Sequence, residues 1–257
     1  MRLGFIKSIA FFFLIESIFI ITGGGAEWFL TKYVTLIKEE TLASALGFPF
    51  AALIICLLVF WLFPSVYKQC ITWLTLSKKN ILTFFLAYLI TGFLFIFIVF
   101  LAKMSGLISP PPFIHKFFSI KIIAIQFVIT ILVGFTEEFI YRGVISSYFL
   151  NKTNKLFTII FVSLLFSIGH LNYSGLLPFI TAFTMGVVSV LLLFKTESLY
   201  ASIGLHCGWN FIYIICENSY NLDVIVYPFW GDFFELYQIG LLCIIIIALL
   251  LYKRSKK

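Results

Sequence analysis

Glu137 and Glu138 stand side by side in the run from Ile125 to Arg142, which otherwise reads as a membrane-spanning helix. A charge near the centre of such a helix costs about 2.5–3.5 kcal/mol on insertion scales. Left unpaired, Glu137, Glu138 and Arg142 would together cost roughly 7–10 kcal/mol. Ionisable groups kept at that cost mark an ion path, a proton relay or a catalytic centre. Two other polar clusters lie in apolar runs: His170, one turn after Phe166, and the pair His206 and Asn210. A carboxyl shielded from water becomes a better base and can draw a proton from water near neutral pH. A histidine beside it can share or relay the proton. A second histidine and an amide are donors suited to the oxyanion of a tetrahedral intermediate. The set is sufficient for water to attack an amide. No well-placed Ser–His pair favours a serine nucleophile, and the HExxH signature is absent. Zinc held by Glu137, His170 and His206 is chemically conceivable but not favoured, and no cofactor is expected.

Helical spacing gives these groups a geometry. Glu138 and Arg142 are i,i+4 neighbours and can pair along one face. Glu137 points about 100° away from Glu138, free to face a cavity. His206 and Asn210 also lie i,i+4 and project together. Depth supplies a second relation. The turn at Asn151-Lys152-Thr153-Asn154 is about 15 residues after Glu137 and about 17 before His170. In an antiparallel hairpin both stand roughly 22–25 Å above the turn, level with each other. His206 and Asn210 lie roughly 12–18 Å along the helix that starts near Ser198. One buried pocket can therefore collect all three clusters. The alternatives are a buried structural ion network for the charged triad and interhelical hydrogen-bond glue for His206 and Asn210.

Glu137-Glu138-Phe139-Ile140-Tyr141-Arg142 resembles the EExxxR motif of the CPBP family, the CAAX protease and bacteriocin-processing family also called Abi. Phe166-Ser167-Ile168-Gly169-His170 resembles its FxxxH motif, and His206-Cys207-Gly208-Trp209-Asn210 its HxxxN motif. Each is weak alone; all three in order are specific. The resemblance covers roughly residues 120–217. It implies an intramembrane endopeptidase related to the type II CAAX prenyl endopeptidases, with a glutamate-dependent, metal-free mechanism. Carried over by motif, Glu137 would activate water with His170 as proton partner. His206 and Asn210 would stabilise the transition state, and Glu138 and Arg142 would support the site.

The elements that must position these residues follow from composition. The chain has 257 residues, 62% hydrophobic and 11% charged. Soluble domains are nearer 45–50% apolar and about 25% charged, so this is a polytopic membrane protein of the all-α class. Apolar runs place eight spans near 4–22, 42–63, 81–102, 120–149, 155–171, 176–194, 198–217 and 236–252. They form a single integral membrane domain, 1–257, with a catalytic core at 120–217. With the N-terminus inside, the inner loops and tail hold Arg2, Lys7, Lys68, Lys78, Lys79, Lys152, Lys155, Lys195, Lys253, Arg254, Lys256 and Lys257. The outer loops hold only Lys32, Lys38, Lys103, Lys116 and Lys121, so both termini are expected in the cytoplasm. The last outer loop is expected to carry Asp223, Asp232 and Glu235, with Tyr227, Phe229 and Trp230 as an interfacial aromatic belt. Glu16 is a lone carboxylate in the first span, expected to be structural or cavity-facing. Glu217 is expected at the outer interface. The first run resembles a signal peptide, but its length and the spans that follow favour an uncleaved helix.

The net charge of +7 does not point to nucleic acid, because the basic residues occupy short loops and the tail rather than one face. The five cysteines form no CxxC pair or ligand spacing. Cys207, beside His206, is a candidate reactive thiol, and packing is the simpler reading. The expected partners are the lipid bilayer and a peptide or membrane-protein substrate. Abundant Phe, Ile, Lys and Asn suggest a low-GC bacterium and its plasma membrane, with bacteriocin or pheromone precursors as candidate substrates. Two other classes stay open: a non-catalytic membrane immunity or regulatory protein, and a proton-coupled transporter, for which no inverted repeat is visible.

Overall fold

The computed structural model describes residues 40–106, 120–170, 176–220 and 228–251, and part of a helix among residues 11–21. Glu16, His115, Asp223 and Tyr227 lie outside the described residues, as do the side chains of Glu217, Phe229, Trp230 and Asp232. The described residues are helical: α1 (Glu40–Leu62), α2 (Pro64–Trp73), α3 (Lys78–Met104), α4 (Ile120–Glu138), a π-helical segment (Phe139–Ile145), α5 (Ser146–Leu150), α6 (Lys155–Gly169), α7 (Leu176–Thr196), α8 (Leu199–Tyr220) and α9 (Pro228–Leu251). Three long helices, Lys78–Met104, Ile123–Leu150 and Leu176–Thr196, are apolar enough to cross a membrane. α3 shows why. It buries Phe95, Ile98 and Ala102 inward, yet Leu89, Phe93 and Phe100 on its other faces are exposed and equally apolar. A helix apolar all round belongs in a large core or in lipid.

Helices underlie every expected span after the first, and three differences matter. Pro64 ends α1 as expected but also opens α2, because proline at a first helical position loses no hydrogen bond. α2 tucks Val66, Cys70 and Trp73 into the core. Second, the expected uniform helix over 120–149 contains the π-helical turn Phe139–Ile145, directly at the paired glutamates. Third, the last helix starts at Pro228 rather than near 236. Proline suits that start. Glu235, expected in a loop, therefore lies on α9.

α8 is the centre of the bundle, packed against α3, α4 and α7, while α9 lies on α7 and α3, α1 on α4, and α6 on α7. The contact of α8 with α3 depends on Gly204 and Gly208. A Cβ at Gly204 would lie 2.2 Å from the Phe84 carbonyl oxygen, and one at Gly208 would lie 2.4 Å from that of Tyr88. Two glycines four residues apart let backbones touch, as in GxxxG pairs of membrane helices. His206 sits between them, so this contact sets its position.

The α5–α6 turn fixes the other register. The Asn154 side chain caps α6 by accepting from the Phe157 amide at 2.8 Å. Thr153 Oγ1 donates to the Phe149 carbonyl at 2.8 Å.

The α3–α8 contact generates a paired prediction. Gly208→Ala should destabilise the protein by about 1–3 kcal/mol through overpacking. Gly240→Ala, on α9 with nothing within 4 Å of the added carbon, should leave the melting temperature in detergent unchanged.

Candidate active site

The site is built around a fully buried pair. Glu138 and Arg142 are both 0% exposed, with Nη1 3.0 Å from Oε1. Glu138 Oε1 also takes His206 Nδ1 at 2.9 Å. A carboxylate only accepts, so Nδ1 carries the proton in this contact and the ring turns Nε2 away from Glu138. His170 is oriented the same way: its Nδ1 lies 2.7 Å from the Phe166 carbonyl, which also only accepts. Both rings therefore present Nε2 to one atom. Glu137 Oε2 is 3.9 Å from Nε2 of His170 and 3.8 Å from Nε2 of His206. The structure brings Glu137, His170 and His206 together, at the level the hairpin arithmetic predicts for the first two.

Glu137, His170, His206 and Asn210 line one cavity of about 390 Å³. Glu138 and Arg142 lie behind it. The expected division between the glutamates is therefore present: one pairs with arginine, the other faces the cavity. What spacing could not reveal is that Glu138 also holds His206.

Phe166, at the head of the FxxxH-like motif, has a place that its spacing does not reveal. Its ring, 2% exposed, lies 4.2 Å from the Arg142 guanidinium carbon. It also packs 4.3 Å from the His170 ring and presents an edge contact to His206 at 5.9 Å. The Arg142–Glu138 contact is an ion pair rather than a directed hydrogen bond, and no guanidinium nitrogen finds a hydrogen-bond partner among the described residues. The aromatic face adds to the compensation that Glu138 gives the buried cation. Cys207 is 0% exposed, is absent from the cavity lining, and packs where a Cβ on Gly134 would meet its sulfur at 2.6 Å. It is a packing residue, not a reactive thiol.

The cavity also reaches residues outside the three motifs: Thr181 on α7, and Glu235 and Gln238 on α9. A signal for Glu235 existed. It is a carboxylate at the edge of the apolar run 236–252, the same kind of anomaly that singles out Glu137.

A zinc ion bound at 2.0–2.1 Å by tetrahedral ligands would hold their atoms about 3.3 Å apart. The two Glu137–histidine separations are wider than this, at 3.9 and 3.8 Å. Among the described residues no group of three His, Cys, Asp or Glu is placed to hold a metal ion. The residues as arranged do not fit zinc.

The described residues form a helical bundle of the membrane type, with a carboxylate and two imidazoles converging in one cavity. Residues 119–212 match the family model described as type II CAAX prenyl endopeptidase Rce1-like, and the matched stretch is a domain of that family of intramembrane peptidases. The match holds Glu137, Glu138, Arg142, His170, His206 and Asn210. No curated protein matches the chain.

The buried pair generates its own prediction. Arg142→Leu should destabilise the protein by about 3–5 kcal/mol, since it strands a buried carboxylate. Glu137→Gln, at the cavity wall, should leave the stability within about 1 kcal/mol of wild type on the same assay.

Proposed function

We propose that the protein is a glutamate-dependent intramembrane endopeptidase that cleaves a peptide or membrane-associated protein within the cavity. The observation that carries the reading is the convergence of two histidine Nε2 atoms on Glu137 Oε2, at 3.9 and 3.8 Å. Those separations are too long for direct hydrogen bonds and suit a water oxygen shared among the three groups.

Charge counting supports the assignment of roles. With both carboxylates ionised and Arg142 charged, the cluster carries one net negative charge. A single proton held among Glu137, His170 and His206 brings it to zero, and a buried cluster favours neutrality.

In the reaction, water attacks the scissile carbonyl carbon and gives a proton to Glu137 Oε2. The carbonyl oxygen becomes an oxyanion. His206, held at Nδ1 by Glu138, donates from Nε2 when protonated, and the Asn210 amide adds a second donor. His170 relays a proton to the departing amine as the C–N bond breaks, leaving a carboxylic acid and an amine. Glu138 and Arg142 take no proton; they set the orientation and charge of His206. By family resemblance and composition, bacteriocin or pheromone precursors at a bacterial plasma membrane are the first substrates to try.

Glu137→Ala and His170→Ala should each abolish cleavage, a loss of at least about 100-fold for a general base or its partner, with unaltered elution in detergent. Full activity in either folded variant would falsify the assignment. Cleavage should also survive strong chelation at neutral pH; loss that zinc restores would overturn the metal-free mechanism. Protection of cells by a folded Glu137→Ala variant would favour a non-catalytic immunity role instead.

A further inference from the structure

Six of the eight lysines among the described residues lie at one end of the bundle. Lys78 and Lys79 open α3, Lys155 opens α6, and Lys195 is in the last turn of α7. Lys152 lies in the α5–α6 turn, and Lys68 is on α2, between the end of α1 and the start of α3. Contacts hold these helix ends at one level. The Tyr200 hydroxyl, at the start of α8, donates to the Leu74 carbonyl at 3.4 Å, and Lys155 Nζ stands 5.7 Å from the Phe194 ring centroid. Among the described residues Glu197 is the one acidic residue at this end. The opposite helix ends carry Glu40, Glu217, Asp232 and Glu235 against Lys103 and Lys121. Lysine-rich short loops stay on the cytoplasmic side of a membrane, so the six lysines mark that side.

The cavity lies toward the other end. His206, by helix position the lining residue nearest the lysines, is about seven residues into α8, roughly 11 Å along it. Pro178 is about 18 residues from the end of α7, roughly 27 Å. Below the cavity the helices are packed shut. Ile145, Phe149, Val162, Val190, Leu193 and Leu199 are all 0% exposed in one core cluster, each on the lysine side of the lining residues of its own stretch of helix. On α9, Leu242 is likewise 0% exposed on the lysine side of Gln238. Glu137 and His170, by contrast, keep 15% and 27% of their side-chain surface exposed. With the lysine side closed, these groups are reached from the opposite half of the bundle.

We propose that the cavity is entered from the extracytoplasmic half of the membrane, so that the bond cut belongs to an exported peptide or to a segment of a membrane protein presented outside the cytoplasm. A peptide confined to the cytoplasm would meet the closed side of the bundle. The peptide nature of the substrate rests on the peptidase reading; the direction of entry does not.

The test reads the direction of entry and needs no substrate. Pro178→Cys and Ala182→Cys place a thiol on the cavity face of α7, in parallel so that one folded variant suffices. Asn151→Cys, exposed in the α5–α6 turn, marks the lysine-rich end. Each full-length variant, in bacterial membranes, is treated with a membrane-impermeant cationic methanethiosulfonate in right-side-out and in inverted vesicles. Labelling is read by mass spectrometry at the introduced position, so the five native cysteines stay in place. In right-side-out vesicles the cavity cysteines should be labelled and Asn151→Cys spared. In inverted vesicles the cavity label should be lost and Asn151→Cys labelled. Adding Glu137→Ala should leave both patterns unchanged. Cavity labelling that persists in inverted vesicles overturns the proposal, as does a folded cavity variant labelled from neither face. Labelling of Asn151→Cys in right-side-out vesicles overturns it too, because the lysine-rich end would then lie outside. Failure of the peptidase reading would appear instead as cleavage by a folded Glu137→Ala variant, with the labelling pattern untouched.

Discussion

Arg142 is among the largest fully buried side chains of the protein, and its charge must be compensated where water cannot reach it. Its compensation comes from three elements at once. Glu138 is on its own helix one turn earlier, Phe166 comes from α6, and His206 from α8 shares the Glu138 oxygen. If any of these helices shifts, the cation loses a partner in a medium that offers no substitute. The pair therefore ties α4, α6 and α8 together more tightly than apolar contact alone, which in lipid has little directional preference. Its role in the site is positional. It holds His206 in one orientation, and that orientation aims the second nitrogen at Glu137.

The packing of the helices is arranged to permit this. α8 must come close to α3 to bring His206 to the depth of Glu138, and bare backbone at Gly204 and Gly208 makes the approach feasible. On the other side, Gly134 of α4 leaves room for the Cys207 sulfur. The residues flanking His206 are thus small or compact in each direction where a neighbour crowds in. The π turn at Phe139–Ile145 belongs to the same region. Such turns are uncommon and recur at functional sites, where they change the direction of side chains that a regular helix would aim elsewhere.

Much of this was legible in the sequence, for reasons that differ by residue. Hydropathy placed the helices because spans need long apolar runs, and positional arithmetic on a short turn placed His170 beside Glu137 because α-helical rise is constant. The i,i+4 rule paired Glu138 with Arg142. The Gly204–Gly208 spacing is also visible in the sequence, as a GxxxG pattern. Other features have no local signature. A π turn is a small departure from helical hydrogen bonding with no composition of its own. The cover of Arg142 by Phe166 depends on how α6 faces the π turn, which no spacing within either segment encodes. Glu235 lies on a helix where the sequence suggests a loop, because a charged stretch before an apolar run reads as loop, whereas Pro228 lets the helix begin earlier and carry the carboxylate to the cavity.

Two adjacent glutamates offer a way to obtain two environments from one helix. Side by side, they point about 100° apart, so one side chain can sit behind the cavity wall while the next forms part of it. The two histidines repeat this logic at the level of a single ring. Each Nδ1 is engaged by a group that only accepts, a backbone carbonyl for His170 and a carboxylate for His206. The difference between those acceptors matters. A carbonyl holds the ring without adding charge. A carboxylate accepts the same ring proton but brings a charge of its own, which Arg142 balances. The same three-atom convergence thus contains two histidines aimed alike and held differently, and the difference lies in what each ring touches on its far side.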